Sequence, residues 1–269
     1  MSKGDRPGKA SGLRQISLAR MEEFGVVPKR DLGQNFLIDD NIIGVILAAA
    51  ECRPEDVVLE VGAGLGVLTA ALADVAAHVH AFEVDTSLSA PLEATLQGCG
   101  NVTLHFADIL KAPLEALRPS PSVCVSNLPY SVAGPFMVES LRRLPDIKRF
   151  CVMVQREVAE RMAAPPGGKT YGTLSVWVQL YTRVVRVRSL SRSIFHPQPN
   201  VDSSLVVLER LSPQALPAVD AEQLRRVIQA AFSQRRKTLV NALVAGLALN
   251  RADVLEAVLA LGLPADVRA

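Results

Sequence analysis

The chain is short of most of the patterns that announce a chemistry outright. Its four cysteines, Cys52, Cys99, Cys124 and Cys151, are scattered, and no C-x-x-C pair occurs among them. A disulfide framework and a zinc ribbon are therefore both excluded, and a reducing, cytoplasmic setting is expected. No apolar run reaches the ~18 residues that a bilayer span requires. The polar, basic N-terminus holds no signal-peptide core of about 7–15 apolar residues, so neither secretion nor membrane attachment is expected. There is no G-x-x-x-x-G-K-[ST] loop for phosphoryl transfer and no G-x-S-x-G elbow around Ser126, Ser203 or Ser204. His78 and His80 stand two apart without a further Cys or His nearby to complete a coordination shell, so no metal is expected. No internal repeat is present.

What the chain does have is length, apolar content and an uneven charge. With 269 residues, 49% of them hydrophobic, it can build one large domain and a small one. Residues 1–30 carry seven basic and three acidic groups, residues 31–120 three and thirteen, and residues 121–269 nineteen and eleven. A basic second half beside an acidic first half fits a polyanion on one side and a cationic or sugar-bearing small molecule on the other. Solvated helix faces would give the same counts.

Residues 1–30 read as a basic tail with a short helix over 14–25. An α/β domain is expected over 31–211 and a helical domain over 212–269, after a linker marked by Pro213 and Pro217. Gln34 and Asn35, set among apolar residues in Leu32-Gly33-Gln34-Asn35-Phe36-Leu37, offer amides to a ligand from what reads as a flap. Residues 57–61 read as a buried strand, followed at once by Gly62-Ala63-Gly64-Leu65-Gly66 and a helix with Leu68, Leu72 and Val75 on one face. That is a nucleotide-binding opening. Val67 stands where a dinucleotide site has its third glycine, so the NAD fingerprint is not met. A strand ending at Glu83 places a carboxylate where ribose hydroxyls are held, and a third strand ends near Asp108.

A fourth strand, Val123 to Val125, leads into Asn127-Leu128-Pro129-Tyr130. Proline lacks an N–H and restrains its predecessor, so the carbonyls here are expected to be unpaired and aimed in a set direction. The exocyclic amine of a nucleobase would satisfy them, with Asn127 as a second acceptor and Tyr130 as a stacking face. Taken alone, the tetrapeptide also reads as a strand ending in a turn with a core tyrosine. The continuing alternation of strand and helix predicts a parallel, doubly wound sheet, a Rossmann-like α/β fold closed by an antiparallel pair over 184–190 and 201–208. In such a sheet Gly62, Glu83, Asp108 and Asn127 converge at the carboxyl ends of the strands. Near the end, Arg235-Arg236-Lys237 reads as three cations on an otherwise apolar helix.

These segments together resemble the rRNA adenine dimethyltransferase family. The resemblance runs from about Leu32 to Leu249 and rests also on Tyr171-Gly172-Thr173-Leu174-Ser175-Val176, on Phe195-His196-Pro197-Gln198-Pro199-Asn200-Val201-Asp202-Ser203 and on Ala231-Phe232-Ser233-Gln234-Arg235-Arg236-Lys237. It implies a fold with a small C-terminal all-α domain and an S-adenosylmethionine (SAM)-dependent enzyme. That enzyme would dimethylate two adjacent adenosines near the 3′ end of small-subunit rRNA, acting as a monomer on an immature 30S particle. By the same resemblance Gln34, Asn35 and Leu37 cover the cofactor and the loop at Gly62 and Gly64 approaches its methionine part. Glu83 binds the ribose and Asp108 reads the adenine. Asn127 and a carbonyl of Leu128-Pro129 accept the target amine, Tyr130 and Phe195 sandwich the base, and Arg156, Arg235, Arg236 and Lys237 meet RNA.

Two departures stand out. Ser131 follows the tyrosine where the family usually has Asn, and Thr86-Ser87 replaces a more usual charged residue after Glu83-Val84-Asp85. The alternatives are the sister branch that modifies large-subunit rRNA in macrolide resistance, and a non-catalytic RNA-binding assembly factor on the same fold. Intact Asn127 and Tyr130 speak against the latter.

Overall fold

The computed structural model describes residues 13–212, 219–234 and 236–269. The basic tail before Leu13 and the linker prolines Pro213 and Pro217 lie outside them, as does Arg235. The elements in chain order are α1 (Leu13–Glu23), β1 (Phe36–Leu37), α2 (Asp40–Ala50), β2 (Val57–Val61), α3 (Val67–Ala73), β3 (His78–Glu83), α4 (Ser89–Thr95), β4 (Val102–Phe106), β5 (Val123–Asn127), α5 (Ala133–Arg143), β6 (Arg149–Gln155), α6 (Arg156–Ala163), α7 (Thr173–Tyr181), β7 (Thr182–Leu190), β8 (Phe195–His196), β9 (Ser203–Arg210), α8 (Ala221–Phe232), α9 (Leu239–Leu247) and α10 (Arg251–Ala260).

Seven strands form one sheet in the order β4-β3-β2-β5-β6-β9-β7. The first five run parallel, and β9 enters antiparallel between β6 and β7, leaving β7 as an edge. The order reverses direction between β3-β2 and β2-β5, the switch point at which the carboxyl ends of adjacent strands open a crevice. The central strands are buried on both faces, which explains why Val57–Val61 does not alternate apolar with polar residues. Ile46, Val58, Leu72, Val79 and Val125 are almost fully enclosed in the cluster on one side of the sheet.

Local chemistry sets the boundaries. Asp39 caps α2, its side chain accepting from the N–H of Asn41 at 2.9 Å. Helix α3 stops at Ala73, so Leu68 and Leu72 are buried, whereas Val75, expected on the same face, lies beyond the helix at 36% exposure. β1 and β8 pair as a two-residue antiparallel ladder, Phe36 opposite His196 and Leu37 opposite Phe195. The hydroxyl of Ser17 in α1 donates to the carbonyl of Leu37 at 2.8 Å, so the flap segment is secured at its far end.

The chain divides into two compact units: the sheet unit, through Ala159 with Thr182–Arg210, and a helical unit of Glu160–Tyr181 with Leu211–Ala269. The division differs from a single cut near residue 212 because α7 belongs with the C-terminal helices. Its Tyr171 neighbour rings against Phe232, and Ser175 and Gln179 bond back to carbonyls of Arg161, Met162 and Ala164. Gly246 lies inside α9. An added Cβ there would lie 2.5 Å from the Cβ of Ala230, so its role is close helix packing.

Candidate active site

A cavity of about 270 Å³ opens at the carboxyl ends of β2, β3, β4 and β5. Gln34, Asn35, Leu37, Gly62, Gly64, Glu83, Asp108, Asn127, Leu128, Pro129 and Tyr130 all line it. Three strand ends, one glycine loop and one flap thus meet around a single space, all within the sheet unit.

The glycine loop makes the closest approach. Gly62 has φ +79°, and a Cβ on it would sit 2.9 Å from Cδ and Cγ of Pro129. Gly64 has φ +56°, and a Cβ on it would press on the Phe36 ring at 3.3 Å. The loop is therefore packed against both the Asn127–Tyr130 segment and the flap, and only glycine fits either position.

Glu83 is 7% exposed. Its carboxylate accepts three backbone hydrogen bonds, from Gly64 and, through the other oxygen, from Val84 and Asp85, each at 2.9 Å. Burial nevertheless dominates and holds its pKa above the usual carboxylate value, with the three amides opposing the shift. Glu60, on β2, is 1% exposed and also lines the cavity. Its Oε2 is buried with no hydrogen-bond partner among the described residues. Burial, opposed by the nearby Thr69 hydroxyl and reinforced by the Glu83 charge, pushes its pKa up to about 8. Sequence reasoning missed Glu60, although an acidic residue inside an otherwise apolar buried strand was a visible signal.

The flap is latched rather than loose. Asp85 is buried, and burial alone would raise its pKa. Hydrogen bonds from Lys29, Ser87 and Gln34 override that effect and hold it at about 2. Lys29 Nζ lies 2.7 Å from Oδ1 and Gln34 Nε2 2.7 Å from Oδ2, while the backbone N–H of Lys29 donates to Gln34 Oε1 at 2.8 Å. Both ends of the Gln34 amide are engaged within the protein, so the expectation that it bonds a ligand gives way to a structural use. Ser87, one of the two departures from the family pattern, joins the same cluster. Its hydroxyl donates to Asp85 at 2.6 Å and accepts from Lys29 at 2.9 Å.

On the opposite wall Asn127, which lines the cavity, directs Nδ2 at the carbonyl of Asn35, 3.4 Å away, and among the described residues its Oδ1 accepts no hydrogen bond. The expectation that all carbonyls of this turn are unpaired needs correction. Pro129 O accepts from the N–H groups of Val132 and Ala133, both at 3.1 Å, because it starts α5. Among the described residues the Leu128 carbonyl accepts no hydrogen bond, while its N–H is held by Met153 O at 3.0 Å. Tyr130 shares a hydrogen bond with Ser203 at 2.9 Å, and burial raises its pKa.

Phe195 does not line the cavity. It is 3% exposed and packs in the core with Leu37, Leu190, Ile194 and Leu205, so in this arrangement its ring has no open face for a base. Asp108 lines the cavity, accepts from the Leu110 N–H at 3.0 Å and pairs loosely with Lys111 at 3.4 Å. Arg156 starts α6 and lies 4.0 Å from Asp202. Arg236 and Lys237 are exposed, but they sit in the turn between α8 and α9 and not on a helix. Ser233 closes α8 by donating to Ala230 O at 2.7 Å, and Thr238 caps α9.

With this geometry in view, comparisons with known proteins are specific. The family model for ribosomal RNA adenine dimethylase matches residues 27–260. The chain is 43% identical over 241 residues to the ribosomal RNA small subunit methyltransferase A of Thermotoga maritima, covering 90% of this chain and 83% of that one. It is 44% identical over 225 residues to the protein of the same name from Streptomyces griseus, covering 82% and 77%. Among solved structures it is similar to a dimethyladenosine transferase from Plasmodium falciparum, with TM-score 0.69, 28% identity and coverage of 85% and 82%. It is also similar to the 23S rRNA methyltransferase ErmE, with TM-score 0.63, 28% identity and coverage of 87% and 92%.

Proposed function

Because this chain belongs to the ribosomal RNA adenine dimethylase family, we propose that it is a SAM-dependent enzyme that dimethylates the exocyclic amines of two adjacent adenosines near the 3′ end of small-subunit rRNA. The observation that carries this reading is the pairing, in one cavity, of a buried carboxylate at the end of β3 with two acceptors at the end of β5, Asn127 Oδ1 and Leu128 O, that meet no donor among the described residues.

The cavity's residues suit SAM. Glu83 keeps lone pairs for ribose hydroxyls beyond its three backbone bonds, and Asp108 stands at the next strand end for an adenine amine. Gly62 and Gly64 form a cradle that any Cβ would fill. The unpartnered Oε2 of Glu60 adds a buried acceptor that welcomes a cationic ligand. Bound there, SAM supplies an electrophilic methyl group on a sulfonium.

The rest of the chemistry belongs to the chain. An adenine amine is a poor nucleophile because its lone pair is delocalised into the ring. In the first transfer Asn127 Oδ1 and the Leu128 carbonyl each accept one amine hydrogen, and in the second one of them holds the single N–H that remains; both favour a more tetrahedral nitrogen, which frees the pair, and the proton shed after each transfer passes to solvent. No general base is needed before transfer, so the contribution is positioning and electrostatics. Extruding the adenosine costs about a few kcal/mol, and stacking on Tyr130 returns roughly 1–3 kcal/mol. Phe195 acts from behind by seating β8 on β1. Arg156, Arg236 and Lys237 contact the RNA, which is presented in an immature 30S particle to a monomeric enzyme.

The test is methyl transfer from labelled SAM to three substrates: 30S subunits lacking the 3′-end dimethyladenosines, naked small-subunit rRNA, and naked large-subunit rRNA. Label on the 30S particles alone is the expected result. Label on large-subunit rRNA would move the protein to the ErmE-like branch, and tight 30S binding without label would leave only an assembly factor.

A further inference from the structure

The reading above accounts for the cavity but not for the far edge of the sheet. Among the described residues β7 is paired only with β9, and its other side has no partner strand. Residues 182–201 contain four arginines, Arg183, Arg186, Arg188 and Arg192, and no Asp or Glu. Arg183 is 2.8 Å from Glu209, and Arg192 donates to the Asn200 carbonyl at 3.4 Å. Arg186 and Arg188 are exposed, and neither has a hydrogen-bond or ion-pair partner among the described residues.

Register connects this edge to the cavity mouth. Leu190 is opposite Ser203, the residue whose hydroxyl meets Tyr130. Arg188 is opposite Leu205 and Arg186 opposite Val207. At about 3.3 Å per residue, the two arginines lie about 7 and 13 Å along β9 from Ser203. They are two residues apart on a strand and so share a face.

We propose that the β7 edge is an RNA docking surface, on which Arg186 and Arg188 each contact a phosphate of the strand that leaves the nucleotide seated at Tyr130. The proposal rests on the reading of the substrate as RNA. Charge supports it: a polyanion needs unpaired cations without intervening acids, and guanidinium forks match phosphate oxygens. Guarding an edge against strand pairing requires charge of either sign and does not require arginine in particular.

The experiment compares wild type with R186Q/R188Q and with R183Q, measuring affinity for 30S subunits and for a naked 3′-end rRNA fragment across a salt series. For two single-stranded phosphates, the double variant loses about 1.4 from the magnitude of the slope of log K against log salt. That corresponds to roughly 25-fold weaker binding at 0.1 M salt. R183Q, whose charge is already met by Glu209, stays near wild type, and turnover at saturating RNA is unchanged in both. An unaltered slope on both substrates overturns the proposal. So does a loss confined to whole particles, which assigns the edge to a ribosomal protein, and so does self-association as the sole change, which assigns it to edge protection. Wild type that labels none of the three rRNA substrates defeats the functional reading instead, and the salt slopes are still read from binding alone.

Discussion

On the β3 side of the cavity a carboxylate is held by three backbone N–H groups, while two strands away, at the end of β5, an amide oxygen and a carbonyl have no donor among the described residues. The first wall is finished before any ligand arrives. Glu83 cannot swing, because each of its oxygens is fixed by amides of the glycine loop or of its own strand end. The second wall is incomplete until a donor binds, and an unmet acceptor gains more from a new hydrogen bond than a satisfied one. Rigid binding on one side and unmet valence on the other are what a group-transfer site needs. One substrate must be held still, and the other must have its electrons redistributed.

Removing the unfinished wall has the largest effect. Asn127→Ala is expected to lower kcat by about 10²–10³-fold, the usual size for losing one preorganised partner of the reacting group. Cofactor and RNA affinity should hold within about threefold, since the amide's hydrogen bond to Asn35 is long. Single-turnover methyl transfer alongside equilibrium binding separates the two, and unchanged turnover removes Asn127 from the mechanism.

Gly62 is where the walls touch, so it tests whether they are independent. Gly62→Ala combines a left-handed backbone with a Cβ 2.9 Å from the Pro129 ring, and the ring must move, taking Leu128 O with it. A displacement of about 1 Å costs roughly 10²-fold in rate. Gly33→Ala is the control: its φ is +65°, but nothing lies within 4 Å of the added Cβ. It should cost only the left-handed strain, about 1–2 kcal/mol, with kcat nearly intact. Equal rate losses in the two variants would show that strain, and not displacement of Pro129, is responsible.

How far all this was legible in the sequence follows from how local each signal is. The strand at 57–61, the glycine turn and the carboxylates at successive strand ends depend on chain-local patterns, and they converge as the parallel order requires. Helix α3's early stop and the close approach of Gly246 to Ala230 depend on partners distant in sequence, and neither carries a local mark. The same holds for Gln34. Its amide looks available for a ligand until the fold brings Asp85, fifty-one residues on, within 2.7 Å. Phe195 was assigned a stacking role through its motif, but its ring is buried because β8 pairs with β1, a contact that two-residue strands do not announce. Arg236 and Lys237 were read as helical because an apolar stretch surrounds them. The serine and threonine that end one helix and start the next are what place them in a turn.

The latch offers a gentler way to loosen the finished wall. Asp85→Asn keeps the shape but leaves one acceptor for donors from Lys29, Gln34 and Ser87. Lys29 is about half exposed, so its ion pair contributes little and the hydrogen bonds matter more. Cofactor affinity is expected to weaken about tenfold with kcat at saturation unchanged, and amides of residues 29–37 should exchange faster with deuterium. Slow exchange in the variant would mean that the β1–β8 ladder alone holds the flap.

The smallest effect on turnover concerns Glu60, whose readout is stability. Its carboxyl titrates near pH 8 in the folded chain because burial disfavours the charge, against an ordinary value of 4.5. Between those limits the folded state binds more protons than the unfolded one, so stability falls as pH rises through the window, with a slope of up to about 1.4 kcal/mol per pH unit. Glu60→Gln is neutral throughout and removes that slope. The variant and wild type should melt together near pH 4.5, and the variant should melt higher above pH 8. Parallel melting curves from pH 4.5 to 9 would mean that Glu60 ionises normally and that the finished wall is less dry than its packing implies. A divergence of the stated sign would instead show that burial keeps the Glu60 carboxyl protonated until a positive charge beside it draws the proton off.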